Sequence, residues 1–219
     1  MVSPSGVSRP AKPKAVFDRD TEWDALVAFA GDTRPGPGLG VVWGRLRQGK
    51  TYLLKALTAA LGGFYFGAQS AAQVESLRRL ADELSQYTGT APPSHWRGWE
   101  NAVDALLALG DRRPVPVVDD FPDLVRQSPA LPSIIHSAYR RLRDTGRDNR
   151  PRLLLSGSAL PVMHRLFSAA SPLRELADLK LTLPPLGFRQ AARLRGIDEP
   201  GLALLVRAGV GETPTWHAM

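Results

Sequence analysis

"GRLRQGKT", residues 44–51, sets a glycine, four residues, a second glycine, a lysine and a threonine in the order of a phosphate-binding loop. Each residue type has a physical task there. Gly44 and Gly49 let the backbone curl so that its N–H groups face an anion. A helix opening at the loop turns its positive end to the same place. Lys50 would bridge the β and γ phosphates of a nucleotide, and Thr51 would hold Mg²⁺ through its hydroxyl. The spacing is informative only between a strand and a helix, and both flanks comply. "LGVVWG" reads as a short buried strand. "KTYLLKALTAAL" reads as a helix with Leu53, Leu54, Leu57 and Leu61 on one face.

Working outward, strands and helices alternate. Before the loop, a helix is expected from about Thr21 to Ala30, with Trp23, Leu26, Val27 and Phe29 on its apolar side, and "GDTRPGPG" is a loop. After it, "GGFYFGA" is turn plus strand and "AQVESLRRLADELSQY" has helical period. "WRGWENAVDALLALG" is a helix with Trp96, Trp99, Val103, Leu106 and Leu107 roughly in register, ending at Gly110. "PVPVVDDF" is a second apolar strand, "ALPSIIHSAYRRLRDTG" a helix, and "PRLLLSGSA" a third strand. "LPVMHRLFSAA" is a short helix, and "ADLKLTLPPL" alternates like a strand near an edge. "GFRQAARLRGI" and "PGLALLVRAG" are two further short helices. This alternation argues for an α/β fold with a mainly parallel sheet.

Composition sets the bounds. The chain has 219 residues, of which 43% are hydrophobic and 22% charged, as in an ordinary globular protein with a sizeable core. The absence of cysteine excludes disulfides and cysteine-ligated zinc. No apolar run approaches the roughly 20 residues that span a bilayer, and "MVSPSGVSRPAKPKA" has no apolar stretch to serve as a secretory signal. A cytoplasmic protein with no membrane association is expected. Residues 1–15, rich in Pro, Ser and Lys, are expected to be a disordered basic tail. The net charge of +7 reads first as a solvated surface and only then as attraction to nucleic acid. No aromatic residues interleave with Arg9, Lys12 and Lys14 to stack bases.

Two further stretches carry chemistry. Asp119 and Asp120 end the second strand. Parallel strands bring their C-terminal ends to one edge, so this pair can face the phosphate loop. In that setting Asp119 is the metal residue, and Asp120 orients or deprotonates the attacking water. Read alone, two aspartates after a strand are more often a turn or a helix cap; after a phosphate loop the balance reverses. In "LLLSGSA", Ser158 and then Ser156 are candidates to sense a γ phosphate or position water, against the alternative of a strand exit kept small for packing. His95, His136, His164 and His217 have no ligand spacing. No Ser-His-Asp arrangement stands out, and "SGSA" lacks the nucleophile-elbow pattern. A small-molecule phosphotransferase would also use a phosphate loop, but no acceptor-binding signature is visible.

Together these motifs resemble the archaeal-type ATPases of the STAND and AAA-like P-loop class, in the form found in actinobacteria. The likeness runs from about Val16 to Trp216. "VFDRDTEWDAL" resembles the family's opening Phe-x-x-Arg element, here Phe17 and Arg19. "GRLRQGKTYLL" is similar to its arginine-rich loop, and "HWRGWENAVDALLAL" to one of its helices. "VVDDFPDLV" resembles its Asp-Glu-Phe-Pro-x-Leu, and "LLLSGSALPVM" its Ser-Gly-Ser strand exit. "SPLRELADLKLTLPPL" parallels its Pro-Leu-x-Gly-Arg segment, and "GVGETPTW" its Gly-Gly-x-Pro element.

The resemblance implies a three-layer P-loop sandwich of the additional-strand class, with "FYFGA" toward an edge and the Asp119 strand near the loop strand. It implies ATP and Mg²⁺ as ligands. Gly44, Arg45, Arg47, Gln48, Gly49, Lys50, Thr51, Tyr52 and Arg19 would bind nucleotide. Thr51 and Asp119 would hold metal, and Asp120 and Ser158 would serve catalysis. The implied function is a slow Mg²⁺-dependent ATPase acting as a nucleotide switch. The alternative is a non-hydrolysing, ATP-dependent module that binds a protein or a second copy of itself. Three departures motivate the slowness and the alternative. Asp120 stands for a glutamate, Glu175 and Leu176 stand for the Gly-Arg pair, and Glu212 stands for a glycine. Residues 16–197 are expected to form the ATPase domain. The family usually continues into a winged-helix region, so residues 198–219 are expected to begin a truncated C-terminal helical region.

Overall fold

A computed structural model describes residues 10–91, 96–112, 114–144, 150–158, 160–168, 171–194 and 196–197. In chain order the elements are α1 (Asp20–Ala30), β1 (Gly38–Trp43), α2 (Lys50–Leu61), β2 (Tyr65–Gly67), α3 (Gln73–Thr88), α4 (Trp99–Arg112) and β3 (Val117–Asp119). They continue with α5 (Phe121–Gln127), α6 (Leu131–Asp144), β4 (Arg152–Gly157), α7 (Leu160–Leu166), β5 (Ala177–Thr182) and α8 (Phe188–Leu194). The strands form one five-stranded sheet in the order β2-β3-β4-β1-β5, every neighbouring pair parallel. β2 and β5 are the edges, as their sequences anticipate. The Asp119 strand lies one strand away from the loop strand, with β4 between them.

The central strands are apolar because both of their faces are covered. β1 and β4 are buried along nearly their whole length. On one face, Leu39, Val41, Leu153 and Leu155 pack against the apolar sides of α3, α4 and α6. On the other, Val42, Val117 and Leu154 meet Trp23 and Leu26 of α1 and Leu53, Leu54 and Leu57 of α2. This alternation of side chains across each strand makes the three layers.

Two expectations need correction. The fourth helix does not end at Gly110 but runs on to Arg112. Gly110 is there because α4 crosses β4 closely: a Cβ at this position would lie 2.3 Å from the Arg152 carbonyl oxygen. The aspartate pair leads directly into α5, a helix that the strand-like reading of "VPVVDDF" did not foresee. Its proline lies in the first turn, where the missing N–H costs nothing. Residues 10–15 of the expected basic tail contact the fold. Lys12 Nζ donates to the Val16 carbonyl at 2.6 Å, and Trp23 Nε1 donates to the Pro10 carbonyl at 3.2 Å, tying residues 10–16 to α1. Residues 1–9 and 198–219, with His95, Glu212 and "PGLALLVRAG", lie outside the described residues. No described helix is long and apolar enough to cross a membrane.

The edge of the sheet away from the phosphate loop is organised by Arg152. It is buried, and it donates to the carbonyls of Gly36 at 2.6 Å and Arg34 at 2.8 Å. Gly38 leaves room for it, since a Cβ there would lie 2.8 Å from Arg152 Cδ. Asp32 faces the same guanidinium at 3.6 Å. Its carboxyl is held down at about 2, first by its hydrogen bond with Arg34 and further by Arg152.

Candidate functional site

β1 delivers the chain to Gly44 at the C-terminal edge of the sheet, and α2 begins at Lys50. The residues between make the loop. Gly49 has φ 84°, a left-handed conformation that glycine adopts without steric cost. Gly44 passes so close to the segment leaving β5 that a Cβ would lie 2.6 Å from the Leu183 carbonyl oxygen. Arg47 also has a positive φ, 61°, which is strained for a residue with a side chain. Arg45, Leu46 and Arg47 point outward and are exposed, whereas Gln48 and Lys50 are buried.

Lys50 is folded back on its own loop. Its Nζ donates to the carbonyls of Gly44 at 2.9 Å and Arg45 at 2.7 Å. Burial pulls its pKa down, and the nearby charges of Asp119 and Asp120 oppose that shift. Both of these partners of the ammonium are neutral carbonyls rather than a carboxylate.

Thr51, in the first turn of α2, meets the end of β3. Its Oγ1 donates to Asp119 Oδ2 at 2.7 Å. Asp119 is buried and receives two further hydrogen bonds. Tyr65 of β2 donates its hydroxyl to the same Oδ2 at 2.8 Å, and the Asp120 N–H donates to Oδ1 at 3.0 Å. Burial, and then the Asp119 charge, push the Tyr65 hydroxyl well above the usual phenol range, so it is a stable donor. Tyr65 was not among the site residues read from the sequence. The aromatic strand "FYF" was legible, but only the pairing of β2 with β3 reveals which face Tyr65 takes.

Asp120 follows with φ 52° and opens α5 without capping it through its side chain. Its carboxyl is pushed up, first by burial and then by Asp119 and Asp123, while Lys50 and Arg126 pull it back. The upward shift makes this carboxylate a better proton acceptor than a solvated aspartate.

β4, between β3 and β1, brings the two serines to the same edge. Ser156 pairs in register with Val42 and is fully buried. Its hydroxyl has no hydrogen-bond partner among the described residues. Ser158 lies half-buried just past Gly157, which pairs with Trp43, so it is level with the start of the loop.

Arg19 is buried on the opposite flank. It donates to the carbonyls of Pro184 at 2.8 Å and Gln48 at 3.4 Å, and it pairs with Glu22 at 2.8 Å. It thereby ties the N-terminal segment to the loop and to the exit of β5. A cleft beside it is lined by Val16, Phe17, Gln48, Gly49, Tyr52 and Leu186. Gln48, Gly49, Tyr52 and Arg19 thus meet at one cleft. Lys50, Thr51, Asp119 and Asp120 form the adjoining charged cluster, and Arg45 and Arg47 turn away from the core. Position 176 belongs elsewhere: Leu176 is a core residue, while Arg174 is exposed.

No protein-family model and no curated protein matches this sequence. Solved structures do match. The Walker-type ATPase of Pyrococcus abyssi superposes over 92% of this chain and 65% of its own, with a TM-score of 0.63 at 17% identity. The Aeropyrum pernix ORC2 protein, in ADPNP–ADP complexes, matches over 92% and 59%, with a TM-score of 0.61 at 16% identity. Cdc6p of Pyrobaculum aerophilum matches over 97% and 54%, with a TM-score of 0.58 at 15% identity. The chain spans less than two thirds of each of these proteins. At such identities the likeness is one of fold: this is an α/β P-loop fold, shared with Walker-type ATPases.

Proposed function

We propose that this chain binds ATP with Mg²⁺ at residues 44–51 and acts as a slow, Mg²⁺-dependent ATPase of the STAND/AAA-like class, used as a nucleotide switch. The observation that carries the reading is the 2.7 Å hydrogen bond from Thr51 Oγ1 to Asp119 Oδ2. It joins the first turn of the loop helix to the end of a strand 68 residues away. That meeting supports reading the loop and the carboxylate as parts of one site.

The donor set suits a hard cation. A hydroxyl and a carboxylate oxygen meet beside a buried lysine, and oxygen ligands with substrate phosphates are what Mg²⁺ takes. Thr51 and Asp119 would hold it, and its charge would offset that of the phosphate oxygens. Lys50 would exchange the Gly44 and Arg45 carbonyls for phosphate, as the loop N–H groups turn to the same anion. Arg19 would brace the loop from behind, and the Phe17–Tyr52 cleft would take the base. An adenine base is supported by the neighbour Aeropyrum pernix ORC2, which is described with ADPNP and ADP. Asp120 would orient the attacking water and accept its proton, with Ser158 beside it.

Slow turnover follows from two residues. Asp120 is one methylene shorter than glutamate, and a misplaced base forfeits part of the roughly 10²–10⁴ that such a base contributes. Leu176 is buried in the core, so position 176 has no cation to offer a transition state. The same leucine favours the second reading, a non-hydrolysing module that binds a protein or another copy in response to ATP. Phosphate release from Mg-ATP separates the two.

The test of the site is calorimetry with Mg-ATP. Wild-type chain should bind, and Lys50→Ala should lose binding by about 100-fold or more, two charge-assisted contacts being removed at about 1.5–3 kcal/mol each. Equal affinities would reject the site.

A further inference from the structure

We infer that Tyr65 is a positioning residue for the divalent cation: its hydroxyl holds the Asp119 carboxylate in the one orientation that serves Thr51 and the metal together. This rests on the nucleotide-site reading above.

The geometry is specific. β2 and β3 are parallel, with Tyr65 opposite Val117 and Gly67 opposite Asp119. Tyr65 and Asp119 therefore leave the sheet on the same face, two residues apart in register, toward α2. The tyrosine must reach along its own strand to touch the aspartate. It runs over Gly67 at contact distance: a Cβ there would sit 3.5 Å from Tyr65 Cε1 and 3.6 Å from its hydroxyl. From α2, Lys55 Nζ stands 5.2 Å from the ring centroid, one helical turn beyond Thr51.

The consequence lies in the lone pairs of the carboxylate. Oδ2 accepts from two hydroxyls, Thr51 at 2.7 Å and Tyr65 at 2.8 Å, which uses its capacity. Among the described residues, Oδ1 accepts only the Asp120 N–H, at 3.0 Å. One acceptor direction, on Oδ1, remains for the cation or its water. Without the Tyr65 hydroxyl, Oδ2 would keep a single partner, and the carboxylate could rotate and offer either oxygen. Outer partners that fix a metal-binding carboxylate in this way govern metal affinity. A tyrosine that only satisfied a buried acceptor would affect the stability of the fold and leave cation affinity alone.

The experiment uses the full chain, a fluorescent N-methylanthraniloyl ADP, and Mg²⁺. ADP removes hydrolysis from the readout. Nucleotide affinity is measured in EDTA, and Mg²⁺ is then titrated into the nucleotide-loaded protein, for wild type and Tyr65→Phe. The expected result is an unchanged affinity in EDTA and a Mg²⁺ midpoint raised about 10-fold, the lower end for loss of an outer partner. An identical Mg²⁺ midpoint in the two proteins overturns the inference, as does an equal loss with and without Mg²⁺. The failures are distinguishable. Wild-type chain that binds no nucleotide rejects the site itself, and this inference with it. A wild-type Mg²⁺ response that survives Tyr65→Phe rejects only the role of Tyr65.

Discussion

Ser156 states the residue-scale problem most sharply. A buried hydroxyl without a partner costs about 1–3 kcal/mol relative to a bonded one, yet Ser156 sits fully buried, on the strand between Asp119 and the loop, with no partner among the described residues. In the isolated chain that hydroxyl gives the fold nothing that a methyl would not. Ser156→Ala should leave the urea midpoint unchanged or raise it. A loss of about 1 kcal/mol or more would show that the hydroxyl is bonded in the free protein. Lys50 presents the complementary case. Its ammonium is satisfied by two loop carbonyls, so the loop holds its own cation in place, where an anion could take over the same contacts. Asp120 and Arg47 hold positive φ without being glycine. Such strain persists where the surroundings impose it, and both residues belong to the proposed site.

At the scale of elements, α4 is the instructive case. Glycine in the middle of a helix costs about 1 kcal/mol relative to alanine, and propensity alone recommends Gly110→Ala. Packing reverses the sign. The added Cβ would stand 2.3 Å from the Arg152 carbonyl and 3.0 Å from Pro116 Cδ, so α4 would have to move off β4. Overpacking of this kind costs about 1–3 kcal/mol, and Gly110→Ala should therefore lower the unfolding midpoint. A stabilised variant would mean that α4 and β4 are not so close. The glycine read as a stop signal is thus a contact residue, and no local pattern distinguishes the two uses. α5 shows the opposite failing. "FPDLVRQ" contains a first-turn proline and buried Phe121 and Leu124, all legible, but the helix begins at once after the strand, with no loop to announce it.

At the scale of the molecule, the strand order makes the site. From β1 the chain crosses to the β2 edge, and from β4 it crosses the other way to β5. Connections that diverge from adjacent strands open a crevice at their C-terminal ends, where ligands of open α/β sheets bind. Loop, aspartate strand and serine strand all end there. A ligand that binds only the assembled site stabilises the whole fold. Mg-ADP at about 100 times its Kd should add about 2.7 kcal/mol. At 2–4 °C per kcal/mol for a chain of this size, the melting temperature should rise by roughly 5–11 °C. Lys50→Ala should show no such rise, and an equal rise would place the ligand elsewhere. The sequence by itself determined the loop pattern, the strand before it and the helix after it, because all of that physics is contained in the 24 consecutive residues 38–61. It also determined the alternation that makes the sheet parallel and the apolar strands central. Only the tertiary structure decided that Tyr65, 54 residues before Asp119, and Thr51, 68 residues before it, share one carboxylate oxygen. That meeting depends on strand order and register, which arise from how long-range surfaces pack and which no local pattern of residues encodes.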